Sequence, residues 1–407
     1  MERKKEWQNV RLGNICTKVC SGGTPTSTNP AYYNGNVPWL NTNEVNFCNI
    51  YSTNRTISEE GLKQSAAKYV PENTIIVAMY GVTAGKCAIA KIPLTTNQAC
   101  CNLIIDKEKA DYRYVFYYLK QQSNYLNRLA VGGAQQNLNA ITIKKFQIAL
   151  PSLPIQQKIA SILSTYDTLI ENNNRRIRLL EQMAENLYKE WFVRFRFPRH
   201  EKMESSMSKK WDIRIKELAQ LKSGYAFKSS WFVDEGEAIA KIKDIGETIM
   251  DTSSFSYVSK DNCIKAEKFL LTEGDLTIAL TGATIGKISI VPKHKGNIYT
   301  NQRLGKFFLG KNPIEKLPFL YCLFKQKAMV SNIINLSNSS SAQPNISPEQ
   351  IENIKILGDK EVINSFNKAC KHIFSMILSI HSQNTLITRQ RDLLLPRLMS
   401  GKLEIKP

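Results

Sequence analysis

"TGATIGK", residues 281–287, follows the apolar run Leu276-Thr277-Ile278-Ala279-Leu280, and it has a near copy. "YGVTAGK", residues 80–86, follows Thr74-Ile75-Ile76-Val77-Ala78. Either stretch alone has the look of a phosphate-gripping loop. That loop has the form G-x-x-x-x-G-K-[ST], because successive backbone N–H groups wrap the phosphates and a hydroxyl reaches magnesium. Here Gly282 and Gly286 enclose three residues where four are needed, and Ile288 stands in place of the hydroxyl. The stretch reads instead as a strand-loop-strand corner in which glycine supplies backbone freedom.

Working outward from the two loops, the match continues. Trp7 pairs with Trp211, "CSGGTP" (20–25) with "KSGYAF" (222–227), and "TTNQ" (95–98) with "YTNQ" (299–302). Further on, "GGAQQNLNAITI" (132–143) pairs with "SSAQPNISPEQI" (340–351). The offsets are 204, about 202, 204 and 208, in unbroken order. The chain is two copies of one unit, and that repetition governs the fold reading.

Each copy begins with short β-branched and aromatic runs broken by Gly, Pro and Asn, with a few short helical patterns between them, which predicts an α+β domain. Each copy ends in a long helix. In 363–394 the residues Ile363, Phe366, Cys370, Ile373, Ile377, Ile380, Asn384, Ile387, Arg391 and Leu394 recur with alternating steps of three and four, the seam of a coiled coil. The first copy gives Ile155, Ile159, Ile162, Tyr166, Leu169, Asn173, Ile177, Leu180, Ala184, Leu187 and Trp191, with a slip near Asn173. Two such stripes in one chain can bury each other side by side and antiparallel; the competing reading is that each helix packs only on its own domain. Asn173 and Asn384 interrupt the seams. A buried Asn fixes register, and an exposed, neutral Asn is the alternative.

The expected layout is therefore two tandem domains of mixed α/β structure, each followed by a long α-helix, in a pseudo-twofold repeat. Residues 1–150 form the first domain, 151–197 the central spacer helix and 198–210 a linker; 211–357 form the second domain and 358–407 the C-terminal spacer helix and tail. At 1.5 Å per residue, a helix of about 36 residues spans roughly 54 Å. Dimeric proteins read half-sites about 34–36 Å apart on one face of DNA, so the expectation is a ruler with a reading head at each end.

Composition agrees with a globular protein that meets a polyanion. The 407 residues exceed what one core usually organises. The formal charge of +20 is spread as +8 over 1–150 and +4 over each of 151–210, 211–357 and 358–407, which suits nucleic acid. The nine Cys form no C-x-x-C pair and the four His are scattered, so no metal site is expected. Free thiols suit a reducing cytoplasm. "MERKKEWQNV" lacks a signal-peptide core and no run of about 18 apolar residues exists, so a cytoplasmic protein with no membrane partner is expected.

At this point the chain resembles the specificity subunits of type I restriction-modification systems. The similar features are "SGGTP" (21–25), "GVTAGK", "GATIGK", "GGAQQNL" followed by "IALPSLPIQQKIASIL" (148–163), "LYKEWFVRFRFP" (187–198) and "RDLLLPRLMSGKL" (391–403). Singly these are weak; their order and duplication carry the match over essentially the whole chain. The resemblance implies two target-recognition domains, each reading half of a bipartite asymmetric site in double-stranded DNA, with the antiparallel helices setting the unread gap. It implies as partners two adenine methyltransferase subunits per chain, which carry S-adenosylmethionine, and restriction subunits, which use ATP and magnesium. This chain itself would hold no cofactor and catalyse nothing.

The residues agree with a non-catalytic reading. "NPAY" (29–32) approaches the methyltransferase N-P-P-Y motif, but Ala31 breaks it, and there is no G-x-G-x-x-G loop. The carboxylate pairs Asp234-Glu235 and Glu59-Glu60 have neither a His nor a metal cluster nearby in sequence.

The repeat also sorts candidate contacts. Residues that match between copies belong to scaffold or phosphate contact, and divergent ones include the base readers. Lys86 and Lys287 are candidate phosphate anchors; Asn97/Asn301, Gln98/Gln302, Gln135/Gln343 and Asn137/Asn345 are matched amides, the last two pairs read as structural. The divergent stretches are 24–60 and 225–260. The first offers Thr24, Thr26, Tyr32, Tyr33, Asn34, Trp39, Asn41 and Asn43; the second offers Tyr225, Lys228, Trp231, Lys241 and Lys243. For the methyltransferase subunits the candidate patches are Trp191, Phe192, Phe195 and Phe197 at the end of the first helix, and Leu394 and Leu398 at the end of the second. Capping of the helix pair by the same aromatics is the equal competitor. Two rival functions stand beside the main one: a coiled-coil assembly scaffold that reads no sequence, and an enzyme that binds a nucleotide at "GATIGK".

Overall fold

The computed structural model describes residues 7–129, 138–198, 212–337 and 344–405. Trp211, Gln135, Asn137, Gln343 and nearly all of the 198–210 linker lie outside the described residues. The chain forms two compact units, and neither coincides with one sequence repeat. One comprises Met1–Leu169 with Ile387–Pro407, the other Ile170–Leu386.

In the first unit, apolar runs bounded by Gly and Pro become buried strands. A five-stranded sheet has the order Cys16–Ser21, Cys100–Ile105, Ile75–Ala78, Cys87–Ala90, Asn49–Ile50. Every residue of Ile75–Ala78 is buried, as an unbroken apolar run requires of a central strand. A second, three-stranded sheet runs Arg55–Ile57, Tyr33–Leu40, Thr95–Thr96. The helix Tyr112–Gln121 is N-capped by Asp111, whose carboxylate accepts from the amides of Arg113 (2.8 Å) and Tyr114 (3.2 Å). An antiparallel ribbon of Gln8–Arg11 with Gln147–Leu150 brings the two ends of the head together.

The second unit repeats this plan. Its first sheet runs Gln220–Ser223, Leu304–Phe308, Leu276–Ala279, Ile288–Ile290, and its second runs Phe232–Val233, Ser256–Val258, Glu237–Ala240, Ile298–Thr300, Leu270–Leu271. The closing ribbon pairs Asp212–Arg214 with Lys355–Leu357. Even the parallel pairing recurs, Leu40 beside Thr96 in one head and Ala240 beside Thr300 in the other.

The long helices are Leu153–Tyr188, which continues as a π-helical turn Lys189–Val193, and Lys360–Met399. Within the first unit Ile159, Ala160 and Leu163 share a core with Leu395, Leu398 and Met399. There Arg391 is ion-paired with Asp167, which also accepts from the Tyr117 hydroxyl. Within the second unit Ile177, Ala184 and Tyr188 pack with Phe366, Cys370, Ile377 and Ile380. In both units rising residue numbers on one helix meet falling numbers on the other, so the pair is antiparallel. Each head is thus completed by a helix segment from the other repeat.

Asn173 and Asn384 are buried at 8% and 7% exposure. The Asn173 amide donates to the Asn384 carbonyl oxygen at 2.8 Å, and the Asn384 amide donates to Asn174 Oδ1 at 2.9 Å. Their burial selects the register reading over the exposed one. Leu169 departs from the expected seam and is 47% exposed. Two residues earlier, Asp167 is half-buried and ion-paired with Arg391. Among the described residues no helix is long and apolar enough to cross a membrane.

Replacing Asn384 by Leu strands the Asn173 amide in an apolar seam, where an unmet donor costs about 1–3 kcal/mol. Asn384→Leu should therefore lower the thermal midpoint, and adding Asn173→Leu should restore part of the loss. Strictly additive losses in a double-mutant cycle followed by thermal unfolding would contradict the direct bond.

Candidate nucleic-acid interface

The two glycine stretches form the same hairpin corner. Gly81 and Gly282 have φ of +72° and +76°, Gly85 and Gly286 of +80° and +81°, values that favour glycine. Between them the chain makes one 3-10 turn, Gly81–Thr83 and Gly282–Thr284. The amides that a phosphate would need are spent internally: Gly85 N donates to Ala78 O (2.9 Å) and Lys86 N to Thr83 O (2.9 Å), with Gly286 to Ala279 (3.0 Å) and Lys287 to Thr284 (3.0 Å) in the copy. The amides next to each lysine therefore close the corner and hold the backbone from which Lys86 and Lys287 extend. Lys86 is half-buried and its Nζ donates to Asn46 Oδ1 at 2.9 Å, while Lys287 is exposed.

On the first head the candidate readers sort by depth. Thr24, Thr26, Asn34 and Asn43 are exposed; Tyr32, Tyr33 and Asn41 are half-buried; Trp39 is 3% exposed. Trp39 works from beneath, its Nε1 donating to Gly23 O at 2.9 Å and its ring meeting Tyr33 edge-on at 5.9 Å. The Arg55 guanidinium lies 5.9 Å from the Tyr33 ring and 5.7 Å from the Trp39 ring. Sequence reading passed over Arg55, although it is the sole basic residue between 24 and 60. Tyr33 OH donates to Pro25 O at 2.7 Å, and Thr24 Oγ1 donates to Gln98 Oε1. Asn41 Oδ1 accepts from Asn97 Nδ2 at 3.3 Å.

The second head gathers aromatics and lysines. Tyr225 and Trp231 stack at 6.5 Å with planes 12° apart, and Lys228 Nζ lies 5.5 Å from the Trp231 ring. Lys241 Nζ sits 3.8 Å from the centroid of Phe232. Burial there, reinforced by the neighbouring Lys243 charge, lowers the Lys241 pKa, with Asp244 opposing. Lys243 is exposed and donates to Ser254 O.

At the helix ends, Trp191, Phe192 and Phe197 are buried at 7%, 7% and 4% exposure, while Phe195 is 37% exposed. Phe192 meets Phe319 at 4.8 Å and Phe366 at 5.4 Å, so these rings cap the helix pair of the second unit. Leu398 is fully buried in the first unit and Leu394 is partly so.

No group of His, Cys, Asp and Glu among the described residues is placed to hold a metal. Burial pushes the Cys16, Cys101 and Cys370 thiols up to about 12 and Cys263 to about 11, so these stay protonated at neutral pH. Asp234, Glu235, Glu59 and Glu60 are exposed.

If the corner glycines serve the turn, Gly81→Ala should lower the thermal midpoint through its positive φ, since no described residue lies within 4 Å of the added Cβ. Gly85→Ala should lower it further, because its Cβ would meet Ser123 O at 2.9 Å. Equal midpoints for the two variants would contradict this account.

A family model described as the type I restriction modification DNA specificity domain matches residues 4–182 and 208–357. The MjaIX specificity subunit of Methanocaldococcus jannaschii is 27% identical over 421 residues, covering 99% of this chain and 94% of that one. The MjaVIII specificity subunit of the same organism is 26% identical with the same coverage. The crystal structure of a type I restriction-modification S subunit from M. genitalium superposes with a TM-score of 0.59 at 20% identity, covering 98% of this chain and 97% of the other, and shares the fold. With most of both repeats inside the family match, the chain belongs to the type I restriction-modification DNA specificity subunits, the non-catalytic members of those systems that confer DNA sequence specificity.

Proposed function

We propose that each head reads one half of an asymmetric bipartite DNA site, and that the paired helices set the unread gap between the halves. The domains act as drawn from the sequence, 1–150 and 211–357 as readers, 151–197 and 358–407 as spacer, 198–210 as linker. The observation that carries this reading is the contrast between a repeated backbone and a divergent surface. Both heads pair a sheet that carries the glycine corner with a second sheet that holds a parallel strand pair, yet their outward residues differ in kind. A protein built to bind the same thing twice would have little use for that difference.

In the first head Thr24, Thr26, Tyr32, Tyr33, Asn34, Asn41 and Asn43 face the bases, with Lys86 on phosphate and Trp39 bracing from below. In the second, Tyr225, Lys228, Trp231, Lys241 and Lys243 do so, with Lys287 on phosphate. The net charge of +20 supplies sequence-independent attraction that falls with salt. Two methyltransferase subunits dock one per repeat, since a pseudo-twofold molecule offers each patch twice. Phe195 and Leu394 reach them, with Trp191, Phe192, Phe197 and Leu398 stiffening the patches from within. Restriction subunits complete the assembly in the cytoplasm, and S-adenosylmethionine, ATP and magnesium reside on those partners.

The test is methylation of random-sequence DNA by this chain co-expressed with its cognate adenine methyltransferase, read by single-molecule sequencing of modified adenines. Two short defined blocks around a fixed gap are expected. An assembled complex that binds its methyl donor yet yields no motif would favour a coiled-coil scaffold that reads no sequence.

A further inference from the structure

One short turn is built identically in both heads and carries different side chains. In the first head the 3-10 turn Thr42–Glu44 follows the strand Tyr33–Leu40; in the second, Ile242–Asp244 follows Glu237–Ala240. The carboxylate at the end of each turn reaches back to its start. Glu44 Oε1 accepts from Asn41 N at 3.2 Å, and Asp244 Oδ2 accepts from Lys241 N at 2.8 Å. The turn bonds match as well: Glu44 N to Asn41 O at 3.1 Å, Asp244 N to Lys241 O at 2.9 Å. So does the attachment to the matched amide that follows the next strand, since Asn97 N donates to Leu40 O and Asn301 N to Ala240 O, each at 3.0 Å. These bonds make Asn41 equivalent to Lys241 and Asn43 to Lys243.

The backbone at these positions is therefore constant and the side chain is the variable. Asn43 and Lys243 are exposed, Asn41 and Lys241 half-buried. Their surroundings differ in the same sense. Residues 24–60 contain eight Asn and no Lys, whereas residues 225–260 contain four Lys and no Asn, so the contrast belongs to the whole reading surface and not to one chance exchange. Three of these four side chains are also held in place. Asn41 is held by Asn97, Lys241 by the Phe232 face, and Lys243 by Ser254 O and the buried Asp244 carboxylate 4.0 Å away.

The chemistry of the exchange selects bases. In the major groove guanine offers two acceptors, N7 and O6, and suits an ammonium, which only donates; adenine offers an acceptor and a donor, and suits an amide, which does both. We infer that this capped turn is a specificity-determining element in each head, with Lys241 and Lys243 selecting guanine in one half-site and Asn41 and Asn43 selecting adenine in the other. The inference rests on the bipartite reading above and adds which residues choose and what they choose.

The test compares methylation motifs of the full chain and its variants, each complexed with the cognate methyltransferase, on the same random DNA. The double variant Lys241→Asn/Lys243→Asn should cut the preference for guanine over adenine at one fixed position of one block by roughly ten- to a hundredfold, as loss of a good base contact does, and leave the other block unchanged. Asn41→Lys/Asn43→Lys should shift the other block from adenine toward guanine. A bipartite wild-type motif that survives both exchanges unaltered overturns the assignment while sparing the bipartite reading. A wild-type complex without a bipartite motif overturns both. Should the Lys241→Asn/Lys243→Asn complex fail to methylate, the single Lys243→Asn, at an exposed position, carries the same readout, and unchanged guanine preference there overturns the assignment.

Discussion

The antiparallel pairing of the two long helices is the constraint on which the rest of the molecule depends. Because the helices run past each other, the C-terminal turns Leu395, Leu398 and Met399 enter the core of the first unit, and Tyr188, Trp191 and Phe192 enter that of the second. Neither head closes its core with its own repeat alone. Apolar seams of this length admit several registers that bury similar area, and what distinguishes them is polar. Asn173, Asn384 and Asn174 satisfy one another only in one alignment, and a slipped register leaves amides unmet in an apolar environment at about 1–3 kcal/mol each. The Asp167–Arg391 pair, tied also to Tyr117, adds a charged requirement of the same kind in the first unit.

On this frame the heads divide labour between backbone and side chain. Hydrogen bonds within the glycine corners and capped turns fix where a surface residue stands without regard to what it is. Such positions are free to change identity at small cost to folding, whereas Trp39 or Asp244, both buried and bonded, are not. A repeated fold can in this way hold two different surfaces.

Much of this was legible in the sequence, for physical reasons. Positive φ leaves a glycine signature, so the two corners identified the repeat. Burial along one stripe leaves a three-four periodicity, so both helices and their pairing could be read. The missed features are those in which periodicity and offset mislead. Leu169 fits the stripe on spacing yet is exposed, while its neighbour Asp167 is ion-paired with Arg391. Trp39 looks like a reader by type but is buried with Val37, Ile57 and Ala67, its indole bonded to Gly23 O. The equivalence of Asn41 with Lys241 is hidden because the offset there is 200, while the surrounding matches at 204 would set Asn41 against Ile245; only the capping bonds reveal it. Arg55 was passed over because a lone arginine carries no spacing signal.

The exchange of helix ends is tested most directly by dividing the chain. Residues 1–198 and 212–407, produced as separate polypeptides and then mixed, should associate one to one, with thermal midpoints well above those of either piece alone, since each supplies core to the other. Two monomers that stay apart, each melting cooperatively at the midpoint of the intact chain, would contradict the account.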